Sequence, residues 1–465
     1  MGHSFVVIGN SHRIFWSIAM FKRKLLGNTH VPHHKNTADL SPVRMTEVSE
    51  VLLPMAQHIG APAEPTVKVG DEVKIGDLIA DASGPVSAPI YATVSGKIKS
   101  IEQYMRSDGR RVPAIRIVSD GQMTVTENIA TPEINDLSAL IDAARRAGLV
   151  GLGGAGFPTA VKLDALRKGL IDTVIVNGAE CEPYITSDTR TMLDDGEWLY
   201  RGIALLETYC KDIKKYIFGV EKNKPRCIKE LKALFERNPK VEIKALPSLY
   251  PQGAEKVLIY NTTRRTVPEG KLPSDVGVLV INVTSLAIIA KYVSTGMPLV
   301  ERCITLDGDA VKEPKNIIAP IGVSIRELIE FGGGLREEAG KVLFGGPTMG
   351  IAACSLDEPV IKTTGAITVF TKKSSLAIPE TACIHCGRCV SACPLNLNPT
   401  EYSKALDLEN KEDRIGRLEK YKVMLCMECG CCSYVCPANR PLVQNNRLAK
   451  GELREHRAHS SMLKN

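Results

Sequence analysis

The segment Cys383-Ile-His-Cys386-Gly-Arg-Cys389-Val-Ser-Ala-Cys393-Pro394 returns with the same spacing as Cys426-Met-Glu-Cys429-Gly-Cys-Cys432-Ser-Tyr-Val-Cys436-Pro437. Three cysteines set two residues apart wrap one face of a [4Fe–4S] cube along a tight turn. Where the motif is doubled, the fourth cysteine, followed by proline, ligates the other cube. The pattern predicts one cluster on Cys383, Cys386, Cys389 and Cys436 and a second on Cys426, Cys429, Cys432 and Cys393. A four-cysteine zinc site uses paired CxxC units and has no need of a third in-line cysteine or a Cys-Pro step. Nine of the 14 cysteines fall between Cys383 and Cys436. A chain long enough to build a large core does not need disulfide staples, so the spacing reads as ligands in a reducing, cytoplasmic compartment. Cys431 is a spare inside the second motif; with Cys181, Cys210, Cys227, Cys303 and Cys354 it reads as a buried small hydrophobe.

Around this element the chain is an ordinary soluble one. Its 465 residues exceed a single domain, and 44% hydrophobic with 24% charged residues is globular composition. The formal charge of +7 is modest and no long Lys/Arg run marks a nucleic-acid groove. Ser4 to Leu26 is apolar in patches but broken by His12, Arg13, Lys22, Arg23 and Lys24. Its runs fall short of the roughly 20 residues a spanning helix needs, and it lacks the plan of a signal peptide. It reads as an amphipathic lead-in or a leader outside the core fold. No later segment is long enough to span, so any membrane contact is expected to run through partners.

Upstream of the cysteines, Pro42 to Asp120 is all-β in character. Val67-Lys-Val-Gly70-Asp71-Glu-Val-Lys-Ile-Gly76-Asp77-Leu-Ile-Ala alternates between Gly-Asp turns, and Ser87-Ala-Pro-Ile-Tyr-Ala-Thr-Val-Ser-Gly96-Lys-Ile-Lys-Ser-Ile101 follows. The pair resembles the barrel-sandwich hybrid of lipoyl and biotinyl domains. The connection from Asp81 to Pro85 holds no lysine to modify, so a structural or docking module is expected. From Leu137 to about Val300 the pattern becomes α/β: a helix through Leu140 to Ala147 capped by Asp136 or Ser138, a glycine-rich turn, a helix from Val161 to Gly169, and buried strands at Ile171–Val176 and Val276–Val283.

Gly151-Leu-Gly153-Gly154-Ala155-Gly156 satisfies G-x-G-x-x-G, but the dinucleotide fingerprint requires a strand before it and here a helix precedes. What survives is physical: glycines let backbone amides approach a phosphate or a flat ring. The turn continues as Gly156-Phe157-Pro158-Thr159, and Asn177-Gly-Ala-Glu180-Cys-Glu182-Pro183 follows the next strand. This combination resembles the flavin- and NADH-binding subunit of respiratory complex I. With the β module in front and the doubled cysteine motif behind, the order resembles the C-subunit family of the Rnf complexes, ion-translocating ferredoxin:NAD oxidoreductases. Further matching landmarks are Gln57-His-Ile-Gly-Ala-Pro62, Tyr250-Pro-Gln-Gly253-Ala-Glu255-Lys, Thr295-Gly-Met-Pro-Leu299 and Gly345-Gly-Pro-Thr-Met-Gly350, and the resemblance covers about Gly27 to Glu455.

The resemblance implies a multidomain α/β plus β protein. Its plan is an N-terminal extension (1–40), a barrel-sandwich hybrid (41–125), an FMN/NADH-binding α/β domain (126–298), a β-grasp soluble-ligand-binding domain with linker (299–375), a helical two-[4Fe–4S] ferredoxin-like domain (376–450) and a polar, frayed tail (451–465). It implies non-covalent FMN reduced by NADH. Gly151, Gly153, Gly154 and Gly156 would form the flavin turn, with Lys162 near the phosphate or ribityl side. Asn177 and Glu180 would hydrogen-bond the flavin, Tyr250 and Gly253 would line the pocket, and Asn282 with Ser285 would sit near the phosphate. Phe157 would stack on the NADH adenine, and Glu182 and Glu255 would meet the NADH side. No side chain is assigned proton-transfer catalysis. The implied partners are NADH, the iron–sulfur subunit that receives electrons from ferredoxin and the integral membrane subunits, with this chain peripheral on the cytoplasmic face.

Three positions depart from the complex I pattern: Leu152 replaces a basic residue, Ala179 an acidic one, and Ala254 the first of two glutamates. They keep open a cluster-bearing adaptor without NADH chemistry. A soluble flavo-iron–sulfur reductase, such as a cobalamin reductase or proline-reductase electron donor, would use the same domains. In the cobalamin-reductase relatives the flavin domain comes first; here the β module leads.

Overall fold

The computed structural model describes residues 27–107, 109–376 and 378–462; the lead-in predicted for Ser4 to Leu26 lies outside them. The described residues divide into two compact units, one within 30–376 and one comprising 27–29 with 378–462.

In the larger unit, β1 (Val43–Arg44) leads into a sandwich of β2 (Glu50–Pro54), β3 (Glu64–Pro65), β4 (Glu72–Val73), β5 (Leu78–Asp81), β6 (Ile90–Tyr91), β7 (Gly96–Met105) and β8 (Arg111–Ser119). One antiparallel sheet runs β2-β8-β7-β4 and the other β3-β5-β6. The repeated Gly-Asp turns are built alike: the Asp71 carboxylate accepts from the Lys68 N–H at 2.8 Å, and Asp77 from Lys74 at 2.7 Å. Val51, Leu53, Ile79, Ile90, Ile98, Ile115 and Ile117 are the buried face.

The α/β domain follows with α1 (Leu137–Arg146), α2 (Thr159–Asp164), β9 (Thr173–Gly178), α3 (Ser187–Asp194), α4 (Gly196–Tyr209), β10 (Lys215–Glu221), α5 (Pro225–Leu234), β11 (Val241–Leu246), α6 (Glu255–Thr263), β12 (Val278–Asn282) and α7 (Val283–Thr295). Asp136 caps α1 by accepting from the Ala139 N–H at 2.7 Å. The four strands are parallel in the order β11-β10-β9-β12. Continuous apolar runs such as Val174–Val176 are buried, as a sheet covered on both faces requires. The chain leaves β9 outward through β10 and β11 and returns to β12 on the other side of β9. That reversal opens a crevice at the carboxyl ends of β9 and β12.

Both expected strands begin two residues later than their sequence pattern. Asp172 is held by the Arg265 guanidinium at 2.8 and 3.0 Å, and Gly277 turns through a left-handed conformation, so extended backbone starts only after them.

The third domain is a sheet in the order β1-β14-β13-β17-β15-β16, made from β13 (Glu301–Asp307), β14 (Lys315–Pro320), β15 (Ala339–Phe344), β16 (Ile351–Ala352) and β17 (Ala366–Thr371) with α8 (Ile325–Phe331) across it. Ser324 and Glu327 close a capping box on α8. β1, ahead of the sandwich in the chain, pairs in parallel with β14 instead. The sandwich is docked here as a structural module: the Leu52 N–H donates to the Gly322 carbonyl at 2.9 Å and Thr93 Oγ1 to Ile321 O at 2.6 Å.

The second unit holds α9 (Arg388–Ala392), α10 (Pro399–Leu406), α11 (Lys411–Lys420), α12 (Cys431–Tyr434) and α13 (Leu442–Met462) around Tyr402, Ala405, Leu418, Val423, Ala449 and Leu453. The frayed tail expected beyond the last cysteines is corrected to helix, since α13 runs to Met462. Ala449 and Leu453, one turn apart, are fully buried, and Glu452 and Arg457 pair with Arg414 and Glu419 of α11. Among the described residues no helix is long and apolar enough to cross a membrane.

Candidate functional site: two thiol cavities and a flavin-type crevice

The doubled motif folds as a doubled structure. His385 and Glu428, each two residues after a motif's first cysteine, take left-handed backbone (φ 54° and 61°), as do Gly387 and Gly430 after each second cysteine and Asn396 and Asn439 after each Cys-Pro step. These bends curl each loop so that its thiols face inward. One cavity, of about 510 Å³, is lined by Cys383, Cys386, Cys389 and Cys436. The other, narrower at about 20 Å³, is lined by Cys393, Cys426, Cys429 and Cys432, with Cys431 on its wall. Each motif's fourth cysteine therefore stands with the other motif's first three.

The donor set fits a [4Fe–4S] cube. All 14 cysteines are free thiols. Among the described residues no three His, Cys, Asp or Glu side chains converge as the ligands of a single ion would; a cube, whose corners are separate irons, takes its thiolates from further apart. Donors already aim at the sulfurs: Leu397 N–H to Cys393 Sγ at 3.3 Å, Glu428 N–H to Cys426 Sγ at 3.4 Å, and Asn446 Nδ2 to Cys426 Sγ at 3.4 Å. Burial raises the Cys389, Cys393 and Cys426 thiols and pushes Cys432 up to about 12, a cost that iron removes by binding the thiolate.

In the larger unit the glycine-rich turn sits at the crevice between β9 and β12. It is closed on itself, Gly151 N–H to Phe157 O at 2.8 Å and Gly156 N–H to Gly151 O at 3.2 Å. Gly154, with φ at 108°, has open space where a side chain would stand; Gly156 lies beneath Thr363, whose Cγ2 would be 2.7 Å from a β-carbon. Ser285 Oγ accepts from the Leu152 N–H at 3.1 Å and ties the turn to α7. Asn282 caps α7 by accepting from the Thr284 and Ser285 N–H groups, and its amide donates to Asp188 at 2.8 Å. A β-carbon on Gly153 would lie 3.3 Å from the Asn282 amide nitrogen. Lys162 reaches the same crevice, 3.1 Å from Glu255 and 3.3 Å from Val280 O.

On the β9 side, Asn177 bridges two segments, donating to Gly253 O at 2.9 Å and accepting from Ala179 N–H at 3.2 Å. Tyr250 is buried beside them. The turn, Lys162, Asn177, Gly253, Glu255, Asn282 and Ser285 are thus gathered at one end of the sheet. Two expected groups face elsewhere. The Glu180 carboxylate accepts from Asp188 N–H at 2.7 Å, Thr189 N–H at 3.2 Å and the Thr189 hydroxyl, stapling the start of α3. Glu182 accepts from Thr348 N–H at 2.7 Å, Met349 N–H at 3.1 Å and the Thr348 hydroxyl, holding the Gly345–Gly350 turn of the β-grasp domain. Phe157 is half-buried.

Sequence reasoning missed the groups behind this wall. Lys224, Glu221 and Arg302 are buried charges, and with the half-buried Lys35 and Asp188 they pack around residues 179–188 and Leu152. Desolvation holds Asp188 up at about 6 and Lys35 down at about 8. No local pattern marks them: Lys35 belongs to the polar run His33-His-Lys-Asn-Thr37, indistinguishable from a solvated loop. The departures also find their place. Leu152 and Ala179 are buried in the protein and do not border open space.

Four family descriptions match in chain order: RnfC barrel sandwich hybrid domain over residues 24–122, Nuo51 FMN-binding domain over 144–291, SLBB domain over 303–352 and 4Fe-4S dicluster domain over 382–440. Among similar proteins, the C-subunit of the proton-translocating ferredoxin:NAD(+) oxidoreductase complex of Clostridium ljungdahlii is 42% identical over 92% of this chain and 93% of its own. The C-subunit of the Na(+)-translocating counterpart in Acetobacterium woodii is 42% identical over 92% of this chain and 96% of its own. The C-subunit of the ion-translocating oxidoreductase complex of Pseudomonas aeruginosa is 40% identical over 93% of this chain and 56% of its own.

Proposed function

The chain belongs to the C-subunit family of ion-translocating ferredoxin:NAD oxidoreductase complexes, and from that premise we propose that it is the subunit where NAD(H) exchanges electrons with the rest of the complex. FMN supplies the conversion between hydride, a two-electron unit, and the single electrons that [4Fe–4S] clusters carry. The chain's residues bind, orient and shield these groups.

Gly151, Gly153, Gly154 and Gly156 bring backbone against the flavin, and the capped start of α7 at Asn282 and Ser285, with Lys162 alongside, takes its phosphate. Asn177, Tyr250 and Gly253 form the wall along the ring, with the backbone of Glu180. Phe157, Glu182 and Glu255 border the side from which the nicotinamide approaches; Glu182 exchanges its contacts with Thr348 for that role. Cys383, Cys386, Cys389 and Cys436 hold one cube and Cys426, Cys429, Cys432 and Cys393 the other. Partner subunits would link these cubes to ferredoxin and to sodium or proton transport, placing the chain peripherally on the cytoplasmic face of the membrane.

The observation that carries the electron-transfer reading is the exchange of fourth cysteines between the two thiol cavities. The test is anaerobic purification of the full chain, with iron and FMN quantified and NADH added. Two cubes and one FMN per chain, bleached by NADH, are expected. Cubes without any NADH-dependent bleaching after FMN is supplied would sink the NADH role.

A further inference from the structure

The segment His30–Leu40 is laid against the flavin-type wall rather than standing outside the fold. Thr37 is fully buried, the Tyr184 N–H donates to His33 O at 3.0 Å, and the amide of Asn316 donates to Thr37 O at 2.9 Å. From this strap one side chain enters the wall. Lys35 Nζ donates to the carbonyls of Glu180, Glu182 and Ile185 at 2.8, 2.8 and 2.6 Å, which spends all three protons of the ammonium on one short stretch of backbone. A second ammonium, that of the buried Lys224, takes Ala179 O at 2.7 Å and Glu180 O at 3.3 Å.

In a trans peptide the carbonyl and the following N–H point in opposite directions. With the carbonyls of Ala179 and Glu180 drawn toward the lysines, the N–H groups of Glu180 and Cys181 are turned the other way. Among the described residues neither donates to a protein acceptor. Glu180 sits at φ 46°, a left-handed conformation unusual for a side chain of this size, so the arrangement is imposed from outside the loop. On that face Asn177 and Gly253 close the crevice.

Resting on the flavin reading above, we infer that Lys35 is a positioning residue of the flavin wall. By holding the Glu180 carbonyl, with those of Glu182 and Ile185, on the far side, it aims the Cys181 N–H at the acceptor edge of a flat heteroaromatic ring, while Lys224 on the Ala179 carbonyl turns the Glu180 N–H. Lys35 lies outside residues 144–291, the span that matches the FMN-binding family, and the strap that carries it becomes part of the site.

The test uses the full chain, freed of FMN and titrated with FMN by fluorescence quenching, as parent, Lys35→Met and Thr37→Val. Thr37→Val removes the strap's hydroxyl anchor on Thr186 and leaves the carbonyl clamp intact. Lys35→Met is expected to weaken FMN by about tenfold, the order of one aligned hydrogen bond lost. The absorption bands and midpoint potential of the FMN still bound should shift, while Thr37→Val stays near the parent. A Lys35→Met chain that binds FMN like the parent with unshifted bands, or a Thr37→Val chain that loses FMN equally, overturns the inference alone. A parent that binds no FMN overturns the flavin reading beneath it. Should Lys35→Met not fold, amide exchange of the parent decides: FMN is expected to slow exchange at Cys181, and unchanged exchange there overturns the assignment.

Discussion

Cys393 and Cys436 each sit in the chain beside one set of thiols and in space beside the other. Replacing either separates proximity in sequence from proximity in the fold. Cys436→Ser is expected to strip the cube whose other ligands are Cys383, Cys386 and Cys389, and Cys393→Ser the cube on Cys426, Cys429 and Cys432. Iron content and electron paramagnetic resonance of the reduced protein would read this, and loss of the sequence-local cube instead would refute the crossing. These cysteines were legible because ligand spacing is written locally. The commitments of Glu180 and Glu182 were not, because their partners at Thr189 and Thr348 are fixed by the path of the whole chain. Lys35, 145 residues from Glu180, leaves no trace in any local window.

Among elements, α13 repays attention because the sequence made a tail of it. Polar residues dominate its far half, which hides the two apolar positions that matter. Leu453 is fully buried against α11, so Leu453→Ala is expected to cost about 2–5 kcal/mol, as for a large core side chain replaced by methyl. Chemical denaturation of the cluster-loaded protein would show it, and a change under about 0.5 kcal/mol, the range of ordinary surface substitutions, would mean the helix is not docked. Two strands of the parallel sheet, β9 and β12, were readable from their apolar runs, and α1 from its cap at Asp136. The short β1 was not readable, since two exposed residues carry no pattern and their pairing with Ile317 and Ile318 is decided by a strand far along the chain. The sandwich's Asp81–Pro85 connection offers no lysine, so incubation with a biotin or lipoate ligase is expected to leave the chain unmodified by mass spectrometry.

For the larger unit taken entire, one side chain stands where three domains meet. Lys362 is buried, donating to Pro89 O of the sandwich at 2.5 Å and Gly148 O of the α/β domain at 2.8 Å, while its own N–H reaches Gln57 at 3.0 Å. Desolvation draws its pKa down to about 7. The unfolded chain keeps this ammonium charged to much higher pH, so above about 7 the folded state binds fewer protons and this group makes stability rise with pH. The thermal midpoint of the parent relative to Lys362→Met should therefore climb between about pH 7 and about pH 9; parallel pH profiles would show that the amine stays charged in place.

The exchange of fourth thiols also sets a timetable for the newborn chain. The loop that begins at Cys383 lacks its last ligand until residue 436 has been synthesised and folded back, and Cys393 waits for the loop from Cys426 to Cys432, so neither metal cage can be finished before the second loop has been made. Iron and sulfide delivery must wait for that second loop. A truncated product ending between the two loops would have no complete cage at all, which turns cofactor loading into a check on whether translation passed the second loop.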